Sequence, residues 1–497
     1  MFKNFPGYKL LEKIQKSNSH KRERKLPLNA IKLIFIVAIT SVIALLPTES
    51  FGIEGLTVVH QRIISLFVFA ALMWLTEAMP SWVTSMVVVT IMLLTVSTSA
   101  FNFLRPEDGA GLVPFKSIMA CFANPTIMLF IGGFVLAIGL TKVKLDVALA
   151  RVLLKPFGTR SEIVLLGFIL VTAIFSAFVS NTATAAMMLA FLTPVLKSLP
   201  ADGKGRVALA LAIPVGANLG GMITPIGTPP NMIALDYLSS QGMGISFVDW
   251  TIKMAPFVIL LLVLSWLLLR VLFPFKQKHI KIEIEGDIKW DRHTWSVVAA
   301  FAITIFMWMF GTDLWGVDTN VVAMIPIAIF CATGILTRRD LEEINWSVLW
   351  MVAGGFALGV ALNYKDASSV SLSSLIVNTV PFDNFSPLVV MILAGVICFG
   401  FSNFISHSAA TSLLVPVLGV VAGGLGSSLD NFGGPQAMLV GIAIASSVSM
   451  ILPISTPPNA IAHSTGFIEQ KDMMKVGIII GLMGLALGYA MLIFIGF

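Results

Sequence analysis

Charge is scarce in this chain: 12% of its 497 residues are Asp, Glu, Lys or Arg, against 57% that are hydrophobic. With a mean hydropathy of +0.92, that much apolar surface cannot be hidden in a water-soluble core, which leaves a polytopic membrane protein. Cysteine is scarce too. Cys121, Cys331 and Cys398 lie in or beside apolar segments with no paired spacing, so neither a disulfide framework nor a zinc site is indicated, and the thiols read as small core residues. The six histidines form no HExxH or paired haem-ligand pattern, and no GxSxG occurs, which weighs against a membrane-embedded protease or redox subunit and gives no reason to expect an enzyme. No apolar run precedes a cleavage site in residues 1–25, which hold eight Lys and Arg; the segment reads as a basic cytoplasmic tail and not a signal peptide. The pI near 9.2 therefore reports where the loops lie and does not point to nucleic acid.

What the chain has in abundance is apolar stretches of roughly 20 residues, long enough to cross a bilayer as helices. Eleven are expected, at 28–47, 61–79, 81–98, 118–140, 206–238, 250–272, 294–310, 319–337, 346–363, 436–465 and 473–495. Two more segments, 162–198 and 387–424, are too long for one span and carry a small-polar cluster near the midpoint. Both read as re-entrant hairpins with the cluster at the tip, because non-helical backbone at membrane depth survives only where protein or a water-filled cavity satisfies it. Orientation tests this reading. It places 26 of the 32 Lys and Arg in interior segments, namely the tail, 141–161, 197–206, 270–292, 338–345 and 466–475, with Arg105 and Lys365 as exterior exceptions. The N-terminus is then cytoplasmic and the C-terminus extracellular, in the cell membrane, with the first hairpin entering from inside and the second from outside.

Three motifs occur twice in the same order. Gly132-Gly-Phe-Val-Leu-Ala-Ile-Gly-Leu140 is echoed by Gly354-Gly-Phe-Ala-Leu-Gly-Val-Ala-Leu362, Ser180-Asn-Thr-Ala-Thr-Ala-Ala186 by Ser406-His-Ser-Ala-Ala-Thr-Ser412, and Thr224-Pro-Ile-Gly-Thr-Pro-Pro-Asn231 by Leu452-Pro-Ile-Ser-Thr-Pro-Pro-Asn459. Offsets of 222, 226 and 228 mark an internal duplication. The domain reading is a tail (1–27), a first helix and loop (28–60), a first repeat with the inner hairpin (61–274), a cytoplasmic linker of mixed charge (275–293), and a second repeat of opposite orientation with the outer hairpin (294–497). Amphipathic stretches near 144–155 and 368–380 are expected as interfacial arms.

A single Ser-Xaa-Thr in a membrane helix is usually packing glue. Two clusters, each followed by a proline-broken helix, point instead to a divided ligand site. Broken helices present N-terminal amides at midplane, which suit an anion, and C-terminal carbonyls, which suit a cation. An anion held by hydroxyls, amides and helix N-termini is the inference from the residues alone. Glu77 reads as an interface or headgroup anchor, and Asp236 and His463 as helix-end polar groups.

These motifs, with Thr76-Glu-Ala-Met-Pro80 before the third span, resemble the divalent anion/sodium symporter family of dicarboxylate and citrate carriers over nearly the whole chain after Ala30. The resemblance implies an all-α fold of eleven transmembrane helices and two hairpins, divided into scaffold and elevator-type transport domains, in a homodimer. It also implies carboxylate binding at Asn181, Thr182, Ser406, Ser408, Thr456 and Pro457, and a sodium site on Ser176, Ser180, Asn181 and the backbone of Gly227; this chain's own repeated motifs add Thr228 and His407 to the expected substrate residues. His407 departs from the pattern, which has Asn there. An amide oxygen coordinates sodium, whereas imidazole is a poor ligand for a hard alkali cation and repels it when protonated. The second sodium site, on Ser402, His407 and the backbone near Ser455, is therefore not expected to hold. A protonated His407 would supply a built-in positive charge in its place. The expectation is a sodium-independent exchanger of small dicarboxylates such as succinate, malate, fumarate or 2-oxoglutarate. It needs no cofactor; a sodium-coupled symporter working through the first site is the alternative.

Overall fold

In the computed structural model the described residues are 26–496 apart from 108, 201–202, 281–288 and 366–369; the basic tail and part of the linker lie outside them. Among the described residues the structure is all helical, with two isolated bridges, Ser97 to Val113 and Arg160 to His279, in place of any sheet.

After α1 (Leu26–Leu45) the chain runs through the same series twice. The first half is α2 (Val58–Thr76), α3 (Ser81–Thr95), α4 (Pro125–Lys142), α5 (Leu145–Leu154), α6 (Ser161–Phe178), α7 (Asn181–Ser198), α8 (Gly205–Gly220), α9 (Pro229–Ser240) and α10 (Phe247–Leu272). The second is α11 (Arg292–Trp315), α12 (Met324–Ala332), α13 (Trp346–Asn363), α14 (Leu372–Thr379), α15 (Pro387–Phe404), α16 (His407–Leu425), α17 (Gly434–Ser447), α18 (Pro457–Ser464) and α19 (Gln470–Phe494). The halves exchange partners across a pseudo-two-fold: α4 packs on α12 and α13 on α3, while α9 packs on α16 and α17, and α18 on α7 and α8. Equivalent glycines make the first exchange. A Cβ on Gly132 would lie 2.5 Å from the Ala323 carbonyl, and one on Gly354 would lie 2.4 Å from Ser85 Cβ.

Each expected span falls on apolar helix, though not always on one rod. Six fall on helices of at least 18 residues and three on the shorter apolar stretches 29–45, 81–95 and 319–332. The spans 206–238 and 436–465 are each two helices around a break, α8 with α9 and α17 with α18. The span 118–140 is also divided: Pro125 has no N–H to continue the preceding helix (Phe115–Ala120), so α4 starts afresh with the Asn124 side chain accepting from Thr126 N at 2.7 Å. The stretches expected as arms form the short helices α5 and α14, which turn leucines inward; Lys144, at φ 58°, makes the left-handed turn into α5.

Hairpins and broken helices form one block and α1–α4 with α11–α13 the other. In the first block α6 and α8 run side by side in the same sense. Gly216 packs on Ile169 and Thr172, and Gly220 so closely on Ala173 that a Cβ would come within 2.3 Å of it. The chain doubles back in α7, whose Leu196 carbonyl receives Arg206 Nε at 2.8 Å near the start of α8. In the second half Ser402 Oγ of α15 meets Ser446 Oγ of α17 at 3.2 Å, and α16 returns along α17. At one end of the molecule Lys142 closes an ion pair with Asp340 and donates to the Ile335 carbonyl at 2.6 Å, tying α4 to the loop after α12.

Candidate functional site

The two hairpin tips are made alike. Val179 (φ −125°, ψ 151°) and Ile405 (φ −115°, ψ 166°) are extended, and Ser180 and Ser406 then cap α7 and α16, accepting from Ala183 N at 3.3 Å and Ala409 N at 3.2 Å. The two breaks are equally alike. Thr228 (φ −145°, ψ 143°) and Thr456 (φ −140°, ψ 150°) precede the prolines that open α9 and α18. Proline suits the first helical positions because their N–H groups lack intrahelical acceptors anyway. Asn231 and Asn459 then stitch the breaks: Asn231 Nδ2 donates to the carbonyls of Gly221 at 3.0 Å and Thr224 at 2.9 Å, and Asn459 Nδ2 to those of Met450 at 2.9 Å and Leu452 at 3.1 Å.

The N-termini of α7, α9, α16 and α18 converge on one cavity of about 460 Å³. All eight residues expected at the substrate line it: Asn181, Thr182, Thr228, Ser406, His407, Ser408, Thr456 and Pro457. Among the described residues no Asp, Glu, Lys or Arg does. Its positive potential must come from the four helix ends, each worth about half a unit charge, and from His407 when charged. The caps on Ala183 and Ala409 leave the preceding amides, those of Asn181 and Thr182 and of His407 and Ser408, without intrahelical acceptors.

The residues expected at sodium also gather. Ser176 Oγ is buried 2.6 Å from Asn181 Oδ1 and 2.7 Å from the Ala217 carbonyl, so a single hydroxyl hydrogen faces two acceptors. Three oxygens converging in this way are a donor set that a small hard cation would take. Gly227 and Gly221 close the cluster, since a Cβ on Gly227 would lie 2.4 Å from the Gly221 carbonyl and one on Gly221 2.5 Å from Asn181 Oδ1. Ser180 stands next to it, its hydroxyl engaged as the α7 cap.

The second tip departs from this pattern at His407. Its Nε2 is 2.5 Å from the Ser449 carbonyl, which can only accept, so Nε2 carries the hydrogen. Around it Ser402 Oγ meets Ser446 Oγ, Ser446 Oγ donates to the His407 carbonyl at 2.9 Å, and Ser455 Oγ donates to the Asn403 carbonyl at 3.1 Å. An N–H donor therefore occupies the place where the first tip presents an amide oxygen.

Several wall residues were not singled out from sequence. Asn218, a buried amide within the apolar run of α8, donates to Thr456 Oγ1 at 3.2 Å and Asn459 Oδ1 at 3.1 Å, joining the first half to the second break; a lone amide in such a run was the available signal. Phe130, Gly133 and Phe134 of α4, Ser81 and Trp82 at the start of α3, and Asn345, Ser347 and Val348 at the start of α13 complete the wall. Glu77 caps α2 in a left-handed turn at φ 47°, and His463 lies at the end of α18; neither lines the cavity. Asp236 corrects the reading of a helix-end group. It lies within α9, where its Oδ1 accepts from Thr126 Oγ1 of α4 at 2.8 Å beside a second cavity of about 1080 Å³.

The pattern of the citrate transporter family matches residues 71–433. Among curated proteins, an uncharacterized transporter of Haemophilus influenzae is 31% identical over 469 residues, covering 91% of this chain and 94% of that protein. The sodium-dependent dicarboxylate transporter SdcS of Staphylococcus saprophyticus is 28% identical over 461 residues, covering 85% of this chain and 83% of its own. Among solved structures, the YdaH transporter of Alcanivorax borkumensis aligns with a TM-score of 0.54 over 88% of this chain and 99% of that one, at 13% identity, a likeness of fold.

Proposed function

The chain belongs to the citrate transporter family, and from that premise we propose that it is a secondary carrier of four- and five-carbon dicarboxylates such as succinate, malate, fumarate and 2-oxoglutarate. One observation carries the reading: four helix N-termini and the hydroxyls of both hairpins meet in a single cavity that, among the described residues, is lined by no ionisable group other than His407. Such a site suits an anion with two charged ends, each end held by one half of the repeat. Thr182 and Ser408 supply hydroxyl donors, the Asn181 amide and the free amides of α7 and α16 add to them, and Thr228, Thr456 and Pro457 shape the floor. A cavity of about 460 Å³ is within the usual range for small-ligand sites.

The protein works as an elevator: the block of hairpins and broken helices slides against α1–α4 and α11–α13, in a homodimer in the cell membrane. The N-terminus is inside and the C-terminus outside. Trp82 and Asn345, which line the cavity, stand at the starts of spans that begin on the cytoplasmic side in this topology, which supports reading the present state as inward-facing.

Exchange is the mode. Moving a fixed cation through an apolar surround is costly unless a bound carboxylate neutralises it, so a carrier with His407 charged returns poorly when empty. A specific observation favours a second reading, sodium-coupled symport: Ser176, Asn181 and the Ala217 carbonyl converge as described, and SdcS is named for sodium dependence. Counterflow into proteoliposomes decides between them. Exchange requires labelled dicarboxylate to accumulate only in preloaded vesicles and equally in sodium and choline. Accumulation in empty vesicles under an inward sodium gradient makes symport correct, and no dicarboxylate flux under either condition removes the substrate class.

A further inference from the structure

The two halves are built on the same series of helices, yet they differ where each hairpin faces the other block. Gly133 and Gly355 are equivalent, one residue past the glycines that lock α4 to α12 and α13 to α3. Their surroundings differ. A Cβ on Gly355 would lie 3.0 Å from Ser412 Cβ, so α16 is seated on α13. A Cβ on Gly133 would meet nothing within 4 Å, and Gly133 lines the 460 Å³ cavity with Phe130 and Phe134, so α7 stands off α4 by the width of that cavity. The residue of α7 equivalent to Ser412 is Ala186, by the same offset that relates Ser180 to Ser406.

Resting on the alternating-access reading, we infer that the molecule changes state by exchanging these two contacts: Ala186 closes on Gly133 as Ser412 leaves Gly355. Two halves of equivalent construction in unequal positions have a mirror arrangement of comparable energy, the relation that alternating access uses in inverted repeats. Gly133 is then needed for a contact absent from the present state, since only a residue without a side chain admits a helix so close. The seated contact is one the chain can leave, because Ser412 Oγ is buried there without a hydrogen-bond partner and gains water on separation. A second asymmetry sets the balance. Thr126 Oγ1 donates to Asp236 Oδ1 and holds α9 to α4 in the present state, whereas the equivalent positions are Val348 and Ser464, which cannot repeat the bond because valine has no donor. The tie favours the state seen here.

The test uses the full chain in proteoliposomes with Cys121, Cys331 and Cys398 replaced by serine. The pair Gly355→Cys with Ser412→Cys should cross-link at rest, and Gly133→Cys with Ala186→Cys should cross-link during turnover; each disulfide should stop counterflow until reduced. A Cβ at Gly133 meets nothing within 4 Å in the present state, so the single variant Gly133→Val should leave the Gly355–Ser412 cross-link at rest intact and exchange at least tenfold more slowly. Gly133→Ala should slow exchange in the same sense but by less, and Thr126→Val should raise Gly133–Ala186 cross-linking. Gly133→Val exchanging at the parental rate, or a Gly133–Ala186 pair that never cross-links while transport proceeds, overturns the inference. Cross-linking does not depend on which anion is carried, so a parent that moves no dicarboxylate yet forms both cross-links refutes the substrate reading and leaves the device standing.

Discussion

Ser176 Oγ and Asn181 Oδ1 lie 2.6 Å apart across the tip of the first hairpin, joining the last turn of α6 to the first residue of α7. The bond positions the amide that lines the 460 Å³ cavity, and it belongs to the oxygen cluster that suits sodium. For an exchanger, Ser176→Ala should weaken dicarboxylate uptake several-fold through misplacement of Asn181, with the ratio of uptake in sodium to that in choline unchanged. If the variant instead loses only a sodium-stimulated component, the cluster carries a cation and the symport reading is correct.

Thr182 and Ser408 occupy the same position in the two hairpins, second in their helices and on the cavity wall. Replacing either by alanine removes a donor to a desolvated carboxylate while leaving the caps on Ala183 and Ala409 intact. A hydrogen bond to a charged group is worth about 1.5–3 kcal/mol, so apparent affinity should fall at least about tenfold, with membrane insertion unaffected. Unchanged uptake kinetics in both variants would remove these residues from the site.

Much of this arrangement was legible in the sequence because membrane burial leaves few ways to satisfy a polar or proline-broken segment. Thr228 and Thr456 could be assigned to interruptions because the prolines after them have no N–H to continue a helix, and Ser180 and Ser406 because the apolar segments around them are too long for one span. The repeat offsets then paired the interruptions. The contribution of α4 and the ends of α3 and α13 was not legible. Gly133, Phe130 and Asn345 are ordinary residues of an apolar helix or loop until the blocks are placed in a particular relative position, and that position is a tertiary property. Asp236 was misjudged for a similar reason: its partner Thr126 is 110 residues away, and nothing local distinguishes a carboxylate tying two helices from one that ends a helix.

Lys142 and Asp340 form the clamp that fixes the end of α4, with Asp340 also accepting from the Thr337 amide and hydroxyl, each at 2.6 Å. Burial alone would raise the Asp340 carboxyl; the Lys142 ammonium and the two Thr337 donors outweigh it and hold the group below the usual carboxylate range. Removing one partner of a buried pair costs about 3–5 kcal/mol, and Lys142, with 22% of its side chain exposed, belongs near the lower end. Lys142→Met and Asp340→Asn should both lower the melting temperature of the purified protein. Because the folded-state pKa of Asp340 is depressed, its stabilisation is complete above the unfolded value of about 3.9 and is lost as pH falls through the folded one. The difference in melting temperature between parent and Asp340→Asn should thus be constant from about pH 8 to pH 5 and shrink only below about pH 4. A difference that disappears near neutrality would show that the carboxylate is not what holds the clamp.

The proposed exchange mode turns on His407. It stands where the first tip has Asn181, and its Nε2–H is bonded to the Ser449 carbonyl, so the ring presents a donor where a sodium ligand would present oxygen. A dianion in the cavity is better held by imidazolium than by neutral imidazole, so exchange should weaken as pH rises. His407→Asn should abolish that pH dependence and give the second tip the amide of the first. With an amide oxygen restored beside Ser402 and Ser455, uptake by this variant is expected to respond to sodium, and the parent's to remain indifferent. Counterflow measured at about pH 5.5 and 8, in sodium and in choline, for parent and variant, separates the terms. If the parent shows uphill uptake into dicarboxylate-free vesicles under an inward sodium gradient, the imidazolium is not the substitute for a cation, and the first hairpin's oxygen cluster is the coupling site.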